Sequence, residues 1–269
     1  MSNTDVLLKQ AISASLEQTE ASQTLASVVN QKMAGIEKSV SDAQKKAQST
    51  IESVADNLGF MAINYNADMK DIYVSKEPNK QGVINQVPLG WGVKPDLLDC
   101  CHFEMIPVTS GSTPSERHEE ARALLDFMGI GADTKHWSGS FNILKIKVLD
   151  TSFIQRTGYD AHIADQHLRQ DPATSFLRYV KVIGKTSVGW LGGDTNDQWV
   201  QHRSVVKSTP GSARYTHVDL VFSDKTEIGD VVMIALPSVV PGIWPENRKH
   251  SRLYNLKDHF TKVIAQKHV

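Results

Sequence analysis

The first 59 residues differ in composition from everything that follows them. They contain no aromatic residue, proline, histidine or cysteine, whereas all ten prolines and all ten histidines of the 269-residue chain lie from Phe60 onward. The segment is rich in Ala, Ser, Gln, Glu and Lys, which tolerate helix well, and without aromatic side chains it cannot fill a globular core of its own. The sequence therefore predicts an elongated helix over residues 1–59, ended by Gly59, and a globular head domain over residues 60–269.

The predicted helix carries an apolar stripe whose spacing indicates how it assembles. Apolar residues recur along the stripe every three or four positions, with an average interval of about 3.7. Three such intervals make an eleven-residue repeat, which predicts a nearly straight or slightly right-handed coiled coil. Charged residues flank the narrow stripe, which favours a seam between chains, although a helix lying on its own globular domain is the alternative. Small residues at Ala43 and Ala47 suggest close helix approach without fixing the number of chains. The residues expected to mediate oligomerisation are Leu25, Val29, Met33, Ile36, Val40, Ile51, Val54 and Leu58.

Charge and hydropathy argue against several classes of partner. The chain has 29 Lys and Arg against 30 Asp and Glu, so it lacks the excess of positive charge that binds nucleic acid or an acidic membrane. Its longest apolar run, Val231–Leu236, is much shorter than the ~18 residues of a membrane-spanning helix. The start, Met1–Asp5, does not resemble a signal peptide. We expect no nucleic-acid partner, no membrane insertion and no export by the general secretory route.

The two cysteines are adjacent, at Cys100 and Cys101. Two neighbouring thiols cannot form a disulfide framework or a zinc site built from spaced thiolates. The pattern predicts a pair of buried thiols that pack as small apolar groups, with a strained vicinal disulfide as the alternative.

After Gly59 the apolar period changes from that of a helix to that of a strand. β-branched and aromatic residues alternate with polar ones, which favours antiparallel sheet with one face in water. The sequence therefore predicts an α + β protein, in which the coiled-coil helix precedes a mainly antiparallel head that resembles a sandwich or jelly roll. The predicted strands span 60–65, 71–75, 141–149, 176–183, 199–207, 216–222 and 230–236.

One or two helices are expected in the head. Thr113, Pro114 and Glu116 have the spacing of a capping box, which predicts a helix from Pro114 to Met128. Its buried face would carry Ala121, Leu124, Leu125 and Met128, and Gly129 or Gly131 would end it. A second helix is predicted over 256–266, with Leu256, Phe260, Val263 and Ile264 on one face.

The sequence contains no motif that identifies an enzyme. No glycine-rich phosphate loop stands between a strand and a helix, and no nucleophile elbow is present. His162 and His167 are five residues apart, a spacing that places them on different sides of a helix and makes a shared metal improbable. We expect no catalytic residues, no metal and no cofactor.

One loop of the head has the composition of a ligand site. Two tryptophans, Trp190 and Trp199, bracket a segment rich in glycine, carboxylate and amide side chains. The indoles could stack on a sugar ring while Asp194, Asn196 and Asp197 bind its hydroxyls. The alternative is a long hairpin turn whose tryptophans are buried in the core, as tryptophans usually are.

A helical stalk without aromatic residues, joined through Gly59 to a β-rich head, resembles the fibre proteins of tailed bacteriophages, including tail, collar and head fibres. The resemblance lies in architecture and composition, covers the stalk more closely than the head, and rests on no specific motif. It implies a homotrimer with parallel stalk helices, an N-terminus attached to other virion proteins and a head that contacts the host surface, commonly a glycan. Such a protein is assembled in the host cytoplasm and located in the virion.

Two other interpretations of the sequence stay open. A cellular coiled-coil adaptor or adhesin would share the stalk, but the expected lack of a signal peptide weakens the exported form. An enzyme that degrades surface polysaccharide would require clustered carboxylates in a groove.

Overall fold

The structure of the chain is a computed structural model that describes residues 3–58, 61–137, 139–154, 158–163, 173–193, 195–206 and 218–255. The chain divides into two units, Met1–Leu58 and Gly59–Val269. The first unit is a single helix, α1 (Asn3–Leu58), whose side chains are described for residues 3–47, 49 and 50. The second unit consists mostly of antiparallel strands with a few short helices, so the predicted α + β class is confirmed. The helix predicted over 256–266 lies outside the described residues.

Helix α1 runs without a break because nothing in its sequence interrupts the backbone hydrogen bonds. It contains no proline, and its hydroxyl side chains bond to the helix itself: Thr19 Oγ1 donates to the Ser15 carbonyl at 2.8 Å, and Ser39 Oγ donates to the Gly35 carbonyl at 2.9 Å. Gly35 is its one interior glycine, and a Cβ added there would meet nothing within 4 Å. A glycine inside a helix costs about 0.5–1 kcal/mol relative to alanine.

The head begins with short strands and continues with long ones. Its short helices are α2 (Pro95–Cys100), a single 3₁₀ turn (Pro114–Glu116) and α3 (Glu119–Phe127). The strands are β1 (Met61–Ala62), β2 (Ile72–Val74), β3 (Gln86–Pro88), β4 (Trp91–Val93), β5 (Cys101–Val108), β6 (Phe141–Val148), β7 (Ala161–Ile163), β8 (Thr174–Ile183), β9 (Val200–Val206), β10 (Val218–Leu220), β11 (Val231–Pro241) and β12 (Tyr254–Asn255).

The main sheet has five strands in the order β5-β6-β11-β8-β9, and every neighbouring pair is antiparallel. A three-stranded antiparallel sheet has the order β10-β7-β4. Two ribbons complete the described strands: β2 pairs antiparallel with β3, and β1 pairs parallel with β12. Strand β9 therefore forms one edge of the main sheet.

Both faces of the main sheet are buried at its centre, which corrects the expectation of one face in water. In β11, residues 231–240 are all buried. Val232 and Ile234 belong to a hydrophobic cluster, cluster 1, that includes Ala161 and Val218 of the three-stranded sheet. Met233 and Ala235 point the other way, into cluster 2, which contains the apolar face of α3. Of the polar residues of β6, Lys147 is exposed, whereas Asn142 and Lys145 are partly buried.

Helix α3 begins later than its capping signature predicts. Thr113 makes no side-chain cap, Arg117 is extended at φ −73° and ψ 145°, and His118 caps the helix by accepting the Glu120 N–H at 3.1 Å. Arg117 departs from helix because its guanidinium donates to the carbonyls of Ser112 at 2.9 Å and Thr134 at 2.8 Å, which tie two loops together. The predicted buried face of Ala121, Leu124, Leu125 and Met128 is confirmed.

A β-bulge interrupts the central strand β11 between Ala235 and Ser238. The bulge contains Pro237, which has no N–H to donate to a neighbouring strand, and Leu236, which is buried at a φ of +49°. Buried Asn64 bonds both sides of it, donating to the Pro237 carbonyl at 2.8 Å and accepting the Val239 N–H at 2.7 Å. These bonds satisfy backbone groups that the interrupted ladder leaves without a strand partner.

The Leu236 carbonyl exposed by the bulge is bonded by a buried histidine. His250 Nε2 lies 3.1 Å from that carbonyl oxygen, and the imidazole stacks on Tyr179 with ring centres 4.6 Å apart. Nε2 therefore carries the proton of the neutral ring, and among the described residues no group bonds buried Nδ1. Burial lowers the pKa of His250 from its usual 6.5 to about 4, although the bond to Leu236 partly opposes the shift.

The two cysteines are reduced and buried, as expected. Cys100 ends α2 and Cys101 begins β5, and both side chains belong to cluster 1. Burial, with the neighbouring Cys100 as the next cause, raises the pKa of the Cys101 thiol. Both thiols are therefore packed in the core and not presented on the surface.

We predict that the head loses stability as the pH falls from about 6.5 to 4. The unfolded chain protonates His250 over this range, while the folded head does not. The contribution of His250 to the free energy of unfolding is therefore complete above pH 6.5, falls by about 3 kcal/mol as the pH drops to 4, and changes little below that. Urea unfolding followed by tryptophan fluorescence at several pH values measures the loss. His250→Gln should reduce that dependence, whereas His136→Gln, at an exposed position, should not. An equal pH dependence in both variants would contradict the assignment.

Candidate functional site

The first candidate site is the apolar stripe of α1, called here the stalk seam. Leu25, Met33 and Ile36 expose 65%, 55% and 62% of their surface within the single chain, and Val29 and Val40 are about half exposed. A continuous stripe of exposed large apolar side chains is unusual unless a partner covers it. The predicted seam residues Ile51, Val54 and Leu58 lie where side chains are not described.

Small residues shape one part of the stalk seam. Gly35 leaves a shallow hollow next to the stripe, and its walls are formed by Lys32, Ile36, Ser39, Val40 and Ala43. The Ser39 hydroxyl bonds within its own helix, as does that of Thr19 further along the stripe. Neither hydroxyl needs water or a partner as acceptor, so both positions can be buried against another helix at little cost.

The second candidate site is the loop between β8 and β9, which contains Trp190. Trp190 lies at the tip of a turn in which the N–H groups of Leu191 and Gly192 both donate to the Val188 carbonyl at 3.0 Å. Its φ is +63°, an unfavourable conformation for a bulky side chain. The indole is half-buried, and its edge contacts Phe176 with ring centres 6.5 Å apart.

The polar part of the same loop is exposed. Asn196 and Asp197 are both exposed at φ values of +48° and +54°, the left-handed region that Asn and Asp tolerate best. Buried Thr195 anchors the segment because its hydroxyl accepts the Val182 N–H at 2.9 Å and lies 3.1 Å from the Val182 carbonyl. Asp194 lies outside the described residues.

Trp199 is buried in the core, on the other side of the sheet from Trp190. It is 5% exposed, belongs to cluster 2, and its indole N–H donates to Glu120 Oε2 at 3.1 Å. The second carboxylate oxygen of Glu120 lies 2.6 Å from Lys181 Nζ. Trp190 packs instead against cluster 1. The structure therefore does not bring the two indoles together as one stacking surface, and burial, the alternative considered from the sequence, describes Trp199.

Sequence reasoning missed a buried cation close to Trp190. Arg178 of β8 is 4% exposed, and its guanidinium carbon lies 4.8 Å from the centre of the Phe176 ring. Phe176 is also the ring that Trp190 contacts edge to face. In the strand register Arg178 stands directly opposite His202 of β9. Burial lowers the pKa of Arg178 to about 10, and burial together with Arg178 lowers the pKa of His202.

No protein-family model and no curated protein matches the sequence. Across the part of the chain that the structure describes, no helix is both long enough and apolar enough to cross a membrane. Within those same residues, no cluster of three or more His, Cys, Asp or Glu side chains is arranged to hold a metal ion.

We predict that alanine substitution separates the roles of the two tryptophans. Trp199→Ala removes a buried ring and the indole N–H that donates to Glu120. The substitution should therefore destabilise the head by about 3–5 kcal/mol. Trp190→Ala should cost less than half as much, because the ring is half-buried and alanine carries less strain at positive φ. Urea unfolding monitored by the fluorescence of the remaining tryptophans measures both. Equal losses would show that Trp190 is also a core residue.

Proposed function

We propose that this protein is a trimeric fibre of a tailed bacteriophage, with a parallel coiled-coil stalk and a head that contacts a glycan on the host surface. The observation that carries the proposal is the exposed stalk seam on a helix that forms a separate unit of the chain. The stalk would attach to other virion proteins near its N-terminus. The protein would be assembled in the host cytoplasm and located in the virion.

The stalk proposal rests on the physics of a long single helix. At 1.5 Å per residue, α1 would be a rod of roughly 80 Å. Helices in proteins gain most of their stability from packing an apolar face, and the stalk seam is the apolar face that α1 offers. Other copies of the same chain are the natural partners, because a repeat of eleven residues matches the same repeat in a neighbouring parallel helix along its whole length.

The head proposal rests on the loop around Trp190. The main sheet and the three-stranded sheet share cluster 1, which supports a sandwich-like head whose loops project from its ends. The loop combines three features. Trp190 has a strained backbone, its indole is half-buried, and the side chains of Asn196 and Asp197 are exposed. An aromatic ring beside short polar side chains is the usual composition of a sugar-binding surface. Trp199 takes a structural part in this arrangement by fixing the start of β9.

We predict that Val40→Asp dissociates the stalk. The substitution places a carboxylate in the seam of every chain at once, where like charges repel and lose water. Sedimentation equilibrium of the full chain should give a trimer for the wild type and a monomer for the variant at micromolar concentration. Gln31→Asp is the matched control, because it changes the charge equally on the opposite side of the helix. A monomeric wild type, or equal masses for all three proteins, would contradict the proposal.

We also predict that the wild-type protein binds bacterial surface polysaccharides on a glycan array and that Trp190→Ala abolishes this binding while the head stays folded. Trp199→Phe is the matched control, because it keeps a ring in the core and alters no exposed side chain of the loop. An array without bound wild-type protein, or undiminished binding by Trp190→Ala, would overturn the glycan-binding role. The oligomeric stalk would be unaffected by that result.

A further inference from the structure

Among the described buried or half-buried arginines, Arg178 is distinguished by a buried Nε without a hydrogen-bond partner. Arg117 uses all three of its guanidinium nitrogens to bond Ser112, Thr134 and neighbouring groups. Arg252 Nε donates to Asp68 at 2.7 Å, and Arg203 bonds the Trp244 carbonyl and Glu246. Among the described residues, no carboxylate lies within ion-pair distance of Arg178.

The bonds that Arg178 does make define which edge is unoccupied. Both protons of Nη1 are used, because Nη1 donates to the Phe176 carbonyl at 3.0 Å and to Ser204 Oγ at 2.8 Å. Nε is buried, and no acceptor in the described part of the chain bonds it. None of the hydrogen bonds described for Arg178 involves Nη2 either. The unoccupied Nε–Nη2 edge has the two parallel N–H groups that bind a carboxylate side-on.

The surroundings of this edge are fixed by the sheet and by the Trp190 turn. Phe176 holds the guanidinium plane from within the sheet, and Ser204 stands opposite Phe176 in the register of β8 and β9. His202 is half-buried opposite Arg178, and its ring packs on Gly192, where an added Cβ would lie 2.6 Å from Nε2. Buried His202 Nε2 also has no bonding partner among the described residues. A preorganised donor edge thus lies next to the sheet edge formed by β9.

An uncompensated charge in this position is expensive. Removing an ion from water costs several kcal/mol even after the protein relaxes, and an unbonded buried N–H adds to that cost. A bound anion would lower this free-energy cost, because it would bond the free N–H groups and balance the charge. Because Arg178 is only 4% exposed, the anion must belong to a small group rather than to the folded surface of another protein.

We propose that Arg178 anchors a binding site for a small oxyanion, with the Nε–Nη2 edge as its bidentate donor and Ser204, Phe176 and His202 as its positioning neighbours. The fork geometry suits a carboxylate, such as that of an acidic sugar, and can also bind the oxygens of phosphate or sulfate side-on. The site does not depend on the proposed fibre function, because it is defined by groups within one head. If the fibre function is correct, the site lies beside the loop that would meet the glycan.

Isothermal titration of the full chain tests the site directly. Sodium glucuronate, sodium sulfate and sodium phosphate are titrated separately at constant ionic strength. Saturable binding of glucuronate is the expected result. Saturable binding of sulfate or phosphate without binding of glucuronate would support the oxyanion site but overturn its assignment to a sugar carboxylate. The absence of saturable binding of all three would overturn the site.

Two substitutions of Arg178 and one control identify the anchor. Arg178→Lys keeps the charge but loses the fork, and Arg178→Met removes the charge at similar volume; each should weaken glucuronate binding at least tenfold. Arg203→Lys, on the same edge strand, should bind as the wild type does. Arg178→Met should also unfold at a higher temperature than the wild type without anion, because the uncompensated charge is gone. Unchanged affinity in the Arg178 variants would overturn the assignment, and Arg178→Lys tests it even where Arg178→Met fails to fold.

Discussion

The head depends on a central strand that is apolar on both sides. Because β11 buries consecutive residues, its two faces must each be covered, and no single additional layer can do this. The three-stranded sheet contributes to the cover on one face and α3 on the other. The position of α3 is fixed in turn by Glu120, whose two carboxylate oxygens reach Lys181 and Trp199. Charged and polar groups therefore orient the layers that apolar contacts hold together.

The same strand explains why part of the fold follows from the sequence and part does not. The long apolar runs of β6, β8 and β11 were predicted because period and β-branched content agree there. Strand β5 was not predicted, and its Pro107 is tolerated because β5 is an edge strand that needs fewer ladder bonds. The start of α3 was misplaced because the loop carbonyls that attract Arg117 are brought near it only by the tertiary fold. Helix α2 is too short for a helical period to be recognised.

Only the part of the candidate site that depends on local sequence could be predicted. The loop from Trp190 to Trp199 was identified by composition, but the burial of Trp199 depends on Glu120, which lies 79 residues away in the sequence. A pattern in β8 could have indicated Arg178. Positions 178 and 181 fall on opposite faces of a strand, so a strand with cations at both must place one on each side. In a strand covered on both faces, two such cations each require their own explanation.

The burial of the adjacent cysteines makes the chain well suited to chemical mapping. Because Cys100 and Cys101 are packed in cluster 1 and α1 contains no cysteine, a thiol introduced on the stalk would be the one accessible to reagents in the folded protein. Disulfide trapping between introduced thiols could then determine the orientation and register of neighbouring helices without removal of the native pair. The slow modification of Cys100 and Cys101 would meanwhile report how often the core of the head opens.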